Sequence, residues 1–213
     1  VKEKIIVPSV IAEDQAHLNH IMNILKHHRG WAQLDVMDGV FVDNHSLDFD
    51  FELPCASFRF EAQLMVTNPR AWIARHGEKT DRILAHYESL PDPEDFIRRI
   101  KKRGKEAGLA LNPETPAEEI RSLLPSVSQI LVMTVEPGSY GADFLPEMLD
   151  KVKKLRSWND RIDIEVDGGI NPATIRQADE AGANLFVSGS YLIKPGKFQE
   201  RYRHLQSLIR LQP

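Results

Sequence analysis

Eight short apolar runs, rich in β-branched residues and most of them followed by a longer stretch with helical spacing, set the strongest limit on how this chain can fold. They lie at Ile5 to Val7, Ala32 to Val36, Phe60 to Met65, Arg82 to Ala85, Ala107 to Leu111, Gln129 to Val135, Ile162 to Val166 and Asn184 to Val187. The interval from one run to the next holds a strand, a helix and two loops, which is a βα unit. Eight such units point to an α/β architecture with a parallel sheet. Closed on itself, that sheet is a TIM (β/α)8 barrel, which takes about 200 residues at the lower end; the chain has 213. The expected organisation is one domain over residues 1–213. A doubly wound open sheet is the competing arrangement, but it carries a glycine-rich turn after its first strand. Pro8-Ser9-Val10-Ile11 has no glycine.

The intervening stretches carry helix chemistry. Asp14 to His28 places Leu18, Ile21, Met22 and Leu25 on one face, and the His27-His28 pair at its end suits the helix dipole. Pro93 to Arg103 ends in basic residues and is stopped by Gly104. Thr115-Pro116-Ala117-Glu118 reads as an N-cap, a proline at the first helical position and a capping-box acid. Phe144 to Trp158 and Pro172 to Ala181 follow the same logic, with Gly182 closing the second. Between Asp38 and Glu61 the helical periodicity is poor, so the second helix is expected to be short or irregular.

Composition narrows the function classes. Lys and Arg number 27 against 31 Asp and Glu, a formal net charge of −4 with neither sign in a long block, so nucleic acid and anionic membrane are not expected partners. Any bound anion has to be held locally. The lone Cys55 rules out an intrachain disulfide and suits a reducing compartment. No apolar run approaches the roughly 18 to 20 residues of a membrane span, and Val1-Lys2-Glu3-Lys4 has no signal-peptide apolar region. A cytoplasmic location is the expectation, and Val1 in place of Met points to processing or trimming ahead of it.

In a barrel of this kind the chemistry sits at the carboxyl ends of the strands. Those ends hold Ser9, Asp35, Met37, Asp38, Gln63, Met65, His86, Asn112, the stretch from Glu136 to Gly141, Asp167-Gly168-Gly169 and Ser188-Gly189-Ser190. Strand alternation points Gln33 and Asp35 the same way, into the mouth. Taken singly, Asp35 or Asp167 reads as a cap or loop carboxylate. As a pair on nearly opposite strand ends, they can take and return a proton on opposite faces of a substrate. Gly138-Ser139-Tyr140-Gly141, Gly168-Gly169 and Gly189 follow three consecutive strands, where barrel enzymes bind phosphate with backbone N–H groups. Met37, Met65 and Met133 fit either an apolar floor under the substrate or ordinary core. His86, standing alone, reads as a hydrogen-bonded barrel residue, and Lys151, Lys153 and Lys154 read as a solvated helix surface.

The segments Pro8-Ser9-Val10-Ile11, Leu34-Asp35-Val36-Met37-Asp38-Gly39, Leu64-Met65-Val66, Leu111-Asn112-Pro113, Met133-Thr134-Val135-Glu136-Pro137-Gly138 and Glu165-Val166-Asp167-Gly168-Gly169-Ile170-Asn171 resemble the ribulose-phosphate 3-epimerase family, in order and over nearly the whole chain. The resemblance implies a TIM barrel that moves a proton at C3 of a ketopentose phosphate through an ene-diolate held on a divalent metal. It makes Asp35 and Asp167 the acid/base pair and metal ligands, Ser9 a substrate contact, and Gly168, Gly169, Gly189 and Ser190 phosphate contacts. It also implies a homo-oligomer, a dimer or larger.

Two departures accompany it. Where the family typically has Gly-Phe-Gly-Gly, this chain has Gly138-Ser139-Tyr140-Gly141, so a side chain replaces an internal glycine beside the anion. The family's two metal-binding histidine positions hold Gln33 and Gln63, and a neutral amide oxygen is a poor ligand for zinc, iron and related ions. No tightly bound metal is therefore expected; at most a weakly held divalent ion would sit on Asp35 and Asp167. Gln33 and Gln63 are expected instead to donate hydrogen bonds to substrate oxygens. Three readings stay open: a two-aspartate epimerase of a sugar phosphate, a catalytically weak or inactive sugar-phosphate-binding barrel, and an epimerase or isomerase of a different phosphosugar.

Overall fold

Residues 2–54, 58–138 and 141–209 are described by the computed structural model. Each of the eight apolar runs contributes a parallel strand. They are β1 (Ile5–Val10), β2 (Gly30–Asp38), β4 (Phe58–Met65), β5 (Arg82–His86), β6 (Glu106–Leu111), β7 (Gln129–Met133), β8 (Asp163–Asp167) and β9 (Leu185–Ser188), and a two-residue antiparallel strand, β3 (His45–Ser46), pairs with the end of β2. β1 pairs with both β2 and β9, which closes the ring. The fold is a TIM barrel.

Alternation along the strands sorts the side chains into two layers. Ala32, Leu34 and Val36 on β2 join Leu18, Leu25, Ala62 and Leu64 in the apolar layer between strands and helices. The intervening residues Trp31, Gln33, Asp35 and Met37 face the barrel axis and are buried there. At the foot of the barrel the Arg82 guanidinium lies 4.1 Å over the Trp31 ring, with Arg59 4.0 Å from the same ring. Arg82 donates to Glu61 at 3.0 Å, to Glu106 at 2.6 Å and to Gln129. The fully buried Glu61 and Glu165 carboxyls are reached by Arg82 and Gln129, as buried charge requires.

The helices follow the expected order with shifted ends. In α1 (Gln15–Leu25) the Asp14 side chain accepts from the His17 N–H at 2.8 Å, the N-cap role. His28 lies beyond the helix, buried, with Nε2 2.8 Å from the Trp31 carbonyl. α2 (Pro69–His76) and α3 (Pro93–Lys102) both open on proline after an Asn or Asp cap. Residues 117–126 form a 3-10 helix rather than a capped α-helix: the Thr115 hydroxyl donates to Glu88 instead of capping, and Pro116 is the last extended residue. α4 (Met148–Trp158) starts after Phe144 because the Leu145 N–H is drawn to the Thr134 carbonyl at 2.8 Å. α5 (Ile175–Ala181) starts late because Asn171 and Thr174 side chains hold the preceding turn. α6 (Phe198–Ile209) completes the ring. None of these helices is long and apolar enough to cross a membrane.

The connection from β2 to β4 has no α-helix among its described residues, 39–54, as its poor periodicity foretold. Its own side chains fill the gap. Leu47 and Phe51 are fully buried, Phe51 stacks on the His76 ring at 4.8 Å, and Trp72 Nε1 donates to the Leu47 carbonyl at 3.0 Å. Leu47 takes a left-handed φ of 53°, held by its N–H bond to the Ala12 carbonyl at 2.9 Å. Cys55 lies outside the described residues. Phe51→Ala is expected to lower the unfolding free energy by about 3–5 kcal/mol, read as a drop in urea midpoint at unchanged slope; an unchanged midpoint would show that this segment covers no core.

Candidate active site

Gln33 and Asp35 of β2, Gln63 of β4, His86 of β5 and Asp167 of β8 meet inside the barrel below its mouth. Their centre is the amide nitrogen of Gln33. Gln33 Nε2 lies 2.7 Å from Asp35 Oδ1, 2.8 Å from Gln63 Oε1 and 2.9 Å from Asp167 Oδ2. Gln33 and Gln63 are fully buried, and Asp35 is 4% exposed. Three acceptors compete for two amide hydrogens, while Gln33 Oε1 has no partner among the described residues.

Burial, and then the facing Asp167 charge, push the Asp35 carboxyl well above the usual range, against hydrogen bonds from Gln33 and Ser9. Burial also pushes Asp167 up to about 6, opposed chiefly by its bond from Gln33. Two like carboxyls in one water-poor site tend to share a proton. One ionised and one protonated acid is the state that suits a proton transfer between opposite faces.

Above this level opens a cavity of about 70 Å³ lined by Ser9, Asp35, Met37, Met65, Gly138, Gly141, Asp167, Gly168, Gly169, Gly189 and Ser190 among others. Eleven of the expected site residues thus share one pocket. Gly168, Gly169, Gly189 and Ser190 come from the ends of β8 and β9. Gly168 has φ of 112°, and a Cβ there would lie 2.3 Å from Val135; glycine is required on both counts. Buried Thr134 fixes this turn, its hydroxyl donating to the Asp167 and Gly168 carbonyls at 2.9 and 2.7 Å. Met37 and Met65 cluster with Val42, and Met133 packs with Leu84 and Leu131; all three line the cavity. A wider cleft of about 390 Å³ adjoins it through Ser9, Ile11, Met37 and Gly138, and is walled by His17, His20, His45 and Ile193.

Gln33 and Gln63 do not line the cavity. They lie beneath it, bonded to the carboxyls and to each other, because inward alternation at their level leads into the closed interior rather than the mouth. Ser139 and Tyr140 lie outside the described residues. Lys151 is not solvated as its helical position suggested: it is partly buried and donates to the Asn112 and Pro113 carbonyls at 2.8 and 3.1 Å. Sequence reasoning passed over Thr134 and Glu88 and discounted His86. The His86–Glu88 spacing after a strand was the available signal.

For zinc or iron the donor set is poor. Among the described residues no group of three or more His, Cys, Asp or Glu side chains is placed to hold one. Between the two carboxyls stands an N–H donor, the Gln33 amino group, where an ion would need lone pairs. Two carboxylates and two neutral amides do not fit zinc, iron and related ions.

A model of the ribulose-phosphate 3 epimerase family matches residues 5–193. Ribulose-phosphate 3-epimerase of Eremothecium gossypii is 34% identical over 224 aligned positions, covering 97% of this chain and 93% of that protein. The cytoplasmic isoform of ribulose-phosphate 3-epimerase from Oryza sativa subsp. japonica is 36% identical, covering 90% of each. Among solved structures, 3-keto-L-gulonate-6-phosphate decarboxylase from Vibrio cholerae superposes with a TM-score of 0.67 at 13% identity over the full length of both, a likeness of fold.

The raised Asp167 also costs stability. The folded chain keeps a proton that the unfolded chain releases near the ordinary value of about 3.9, so stability is greatest below that value and falls as pH rises through it to about 6. Asp167→Asn removes this loss. Its stability relative to wild type is expected to rise from near zero at about pH 4 to about 1–2 kcal/mol at about pH 8, partial exposure limiting the gain. Urea denaturation at the two pH values measures it, and a constant difference would contradict the assignment.

Proposed function

The chain belongs to the ribulose-phosphate 3-epimerase family, and from that premise we propose that it epimerises a ketopentose phosphate at C3 with Asp35 and Asp167 as the two acid–base groups and without a tightly bound metal. The observation that carries this reading is the pair of carboxyls, Asp35 buried and Asp167 half-buried, both with raised pKa, that line one pocket together with several glycines. The ionised member takes the C3 proton, and the electron pair moves into the C2 carbonyl to give an ene-diolate. The protonated member then delivers its proton to the opposite face of C3. The two acids end with their protonation states exchanged, ready for the reverse direction.

Gly138, Gly141, Gly168, Gly169, Gly189 and Ser190 would hold the phosphate through backbone N–H groups, which agrees with a chain of net charge −4 that has no basic block. Ser9, bonded to Asp35, would orient both that acid and a sugar hydroxyl, and Met37 and Met65 would form the floor. The partner is a small sugar phosphate rather than nucleic acid or membrane. A homo-oligomer of two or more copies and a cytoplasmic location complete the proposal, the latter agreeing with the isoform named in Oryza sativa.

A second reading, a sugar-phosphate-binding barrel of little activity, draws on the Gln33 bonds that already occupy both carboxyls. The neighbouring 390 Å³ cleft also leaves room for a larger phosphosugar. Exchange of the C3 proton of ribulose 5-phosphate in deuterated buffer with chelator present separates them. The epimerase reading expects exchange that continues under chelation and falls roughly 10²- to 10⁴-fold in Asp35→Asn. Binding without exchange would favour the binding protein, and activity that disappears with chelator would overturn the metal-free assignment.

A further inference from the structure

The Gln33 amide can face the two carboxyls with either end, and only its NH₂ end gives the ionised one a donor. What decides the matter lies outside the reacting groups. At the rim, His86 Nδ1 faces two oxygens, Asn112 Oδ1 at 2.7 Å and Glu88 Oε2 at 3.6 Å. An imidazole nitrogen between two acceptors carries the hydrogen, so Nε2 presents its lone pair. Gln63 Nε2, 3.0 Å away, donates to it. That turns Gln63 Oε1 toward Gln33, from which it accepts at 2.8 Å. Gln33 is thereby left with its NH₂ on Asp35 and Asp167 and its oxygen turned away without a partner among the described residues. Every side chain from His86 inward to Gln33 is 0% exposed, so bulk water does not reach these amides.

We propose that Gln33 is a neutral clamp on the Asp35–Asp167 pair, and that His86 is the positioning residue that sets the clamp's polarity through Gln63. Neither Gln33 nor His86 lines the cavity; both act through the carboxyls. A reversed Gln33 would aim a carbonyl oxygen at the pair: the protonated acid could donate to it, but the ionised acid would lose its donor and face a like partial charge at hydrogen-bond distance. The ionised acid would then leave the position from which it reaches C3. The role in catalysis rests on the epimerase reading above, whereas the hydrogen-bond polarity does not.

Two measurements test it. The first is independent of turnover: nitrogen NMR of the His86 ring should show the neutral tautomer with hydrogen on Nδ1 in the wild type, and a mixture in Gln63→Met, which removes the donor to Nε2. Hydrogen on Nε2 in the wild type would overturn the chain. The second uses C3 proton exchange. His86→Leu and Gln63→Met should each lower kcat roughly 10- to 100-fold, with KM for the sugar phosphate within about threefold because the glycine wall is untouched. The double variant should be no slower than the worse single one, since both break one chain. His86→Gln, which can place an acceptor oxygen near the Nε2 position, should recover most of the rate. Additive losses, a loss confined to KM, or full activity in folded His86→Leu would overturn the positioning role. If the wild type shows no exchange at all, the epimerase reading fails, and the NMR result alone decides the polarity.

Discussion

A carboxyl group inside a closed barrel has two ways to avoid an uncompensated charge: it takes a donor or it keeps a proton. Closure of eight strands aims every second side chain at the axis, and here the axis carries Asp35, Asp167, Glu61 and Glu165. The other polar residues of the interior are arranged around that load. At the foot, one guanidinium and one amide, Arg82 and Gln129, serve the two glutamates. At the mouth no cationic side chain among the described residues is in contact, and the amide hydrogens of Gln33 together with the Ser9 hydroxyl leave both aspartates with raised pKa values. Burial raises Glu165 as well, so what sets the two aspartates apart is their place on the cavity that opens at the mouth, which neither glutamate lines.

Much of this was legible before any coordinates. The eight runs mark the strands, period-two alternation places Gln33 with Asp35, and the missing periodicity after Asp38 marks the connection without an α-helix. Helix starts were less legible, because residues 144–147 and 172–174 look helical by pattern while their backbone and side chains bond elsewhere. The Thr115 capping box failed for a similar reason: Glu88, distant in sequence, takes its hydroxyl. His86 was the larger miss. Its contact with Gln63 depends on the β4–β5 register, which pairs Gln63 with Leu84 and so brings His86 alongside one level up. Composition and spacing contain nothing about that register.

The two glutamines also acquire a different role from the one their positions suggest. As substituted ligand positions they invite a comparison of lone pairs, amide oxygen against imidazole nitrogen. In the structure the relevant atom is the hydrogen: Gln33 offers its donor end to the carboxyls, and a neutral dipole stands between two acids. A dipole has a direction, which an ion lacks, and a site built on one needs neighbours to hold it the right way round. The polar side chains between Gln33 and the rim supply that requirement.

The seal at the foot of the barrel bears on how matter and protons travel. Trp31, sandwiched by Arg59 and Arg82, and the buried Glu61, Gln129 and Glu165 fill the lower end, so the pocket is a blind well. Substrate, product and water use the same mouth. On the epimerase reading, a proton lifted onto one acid while a sugar phosphate occupied the well would be shielded from bulk water, and the well would retain an isotopic memory of its occupant until that occupant left.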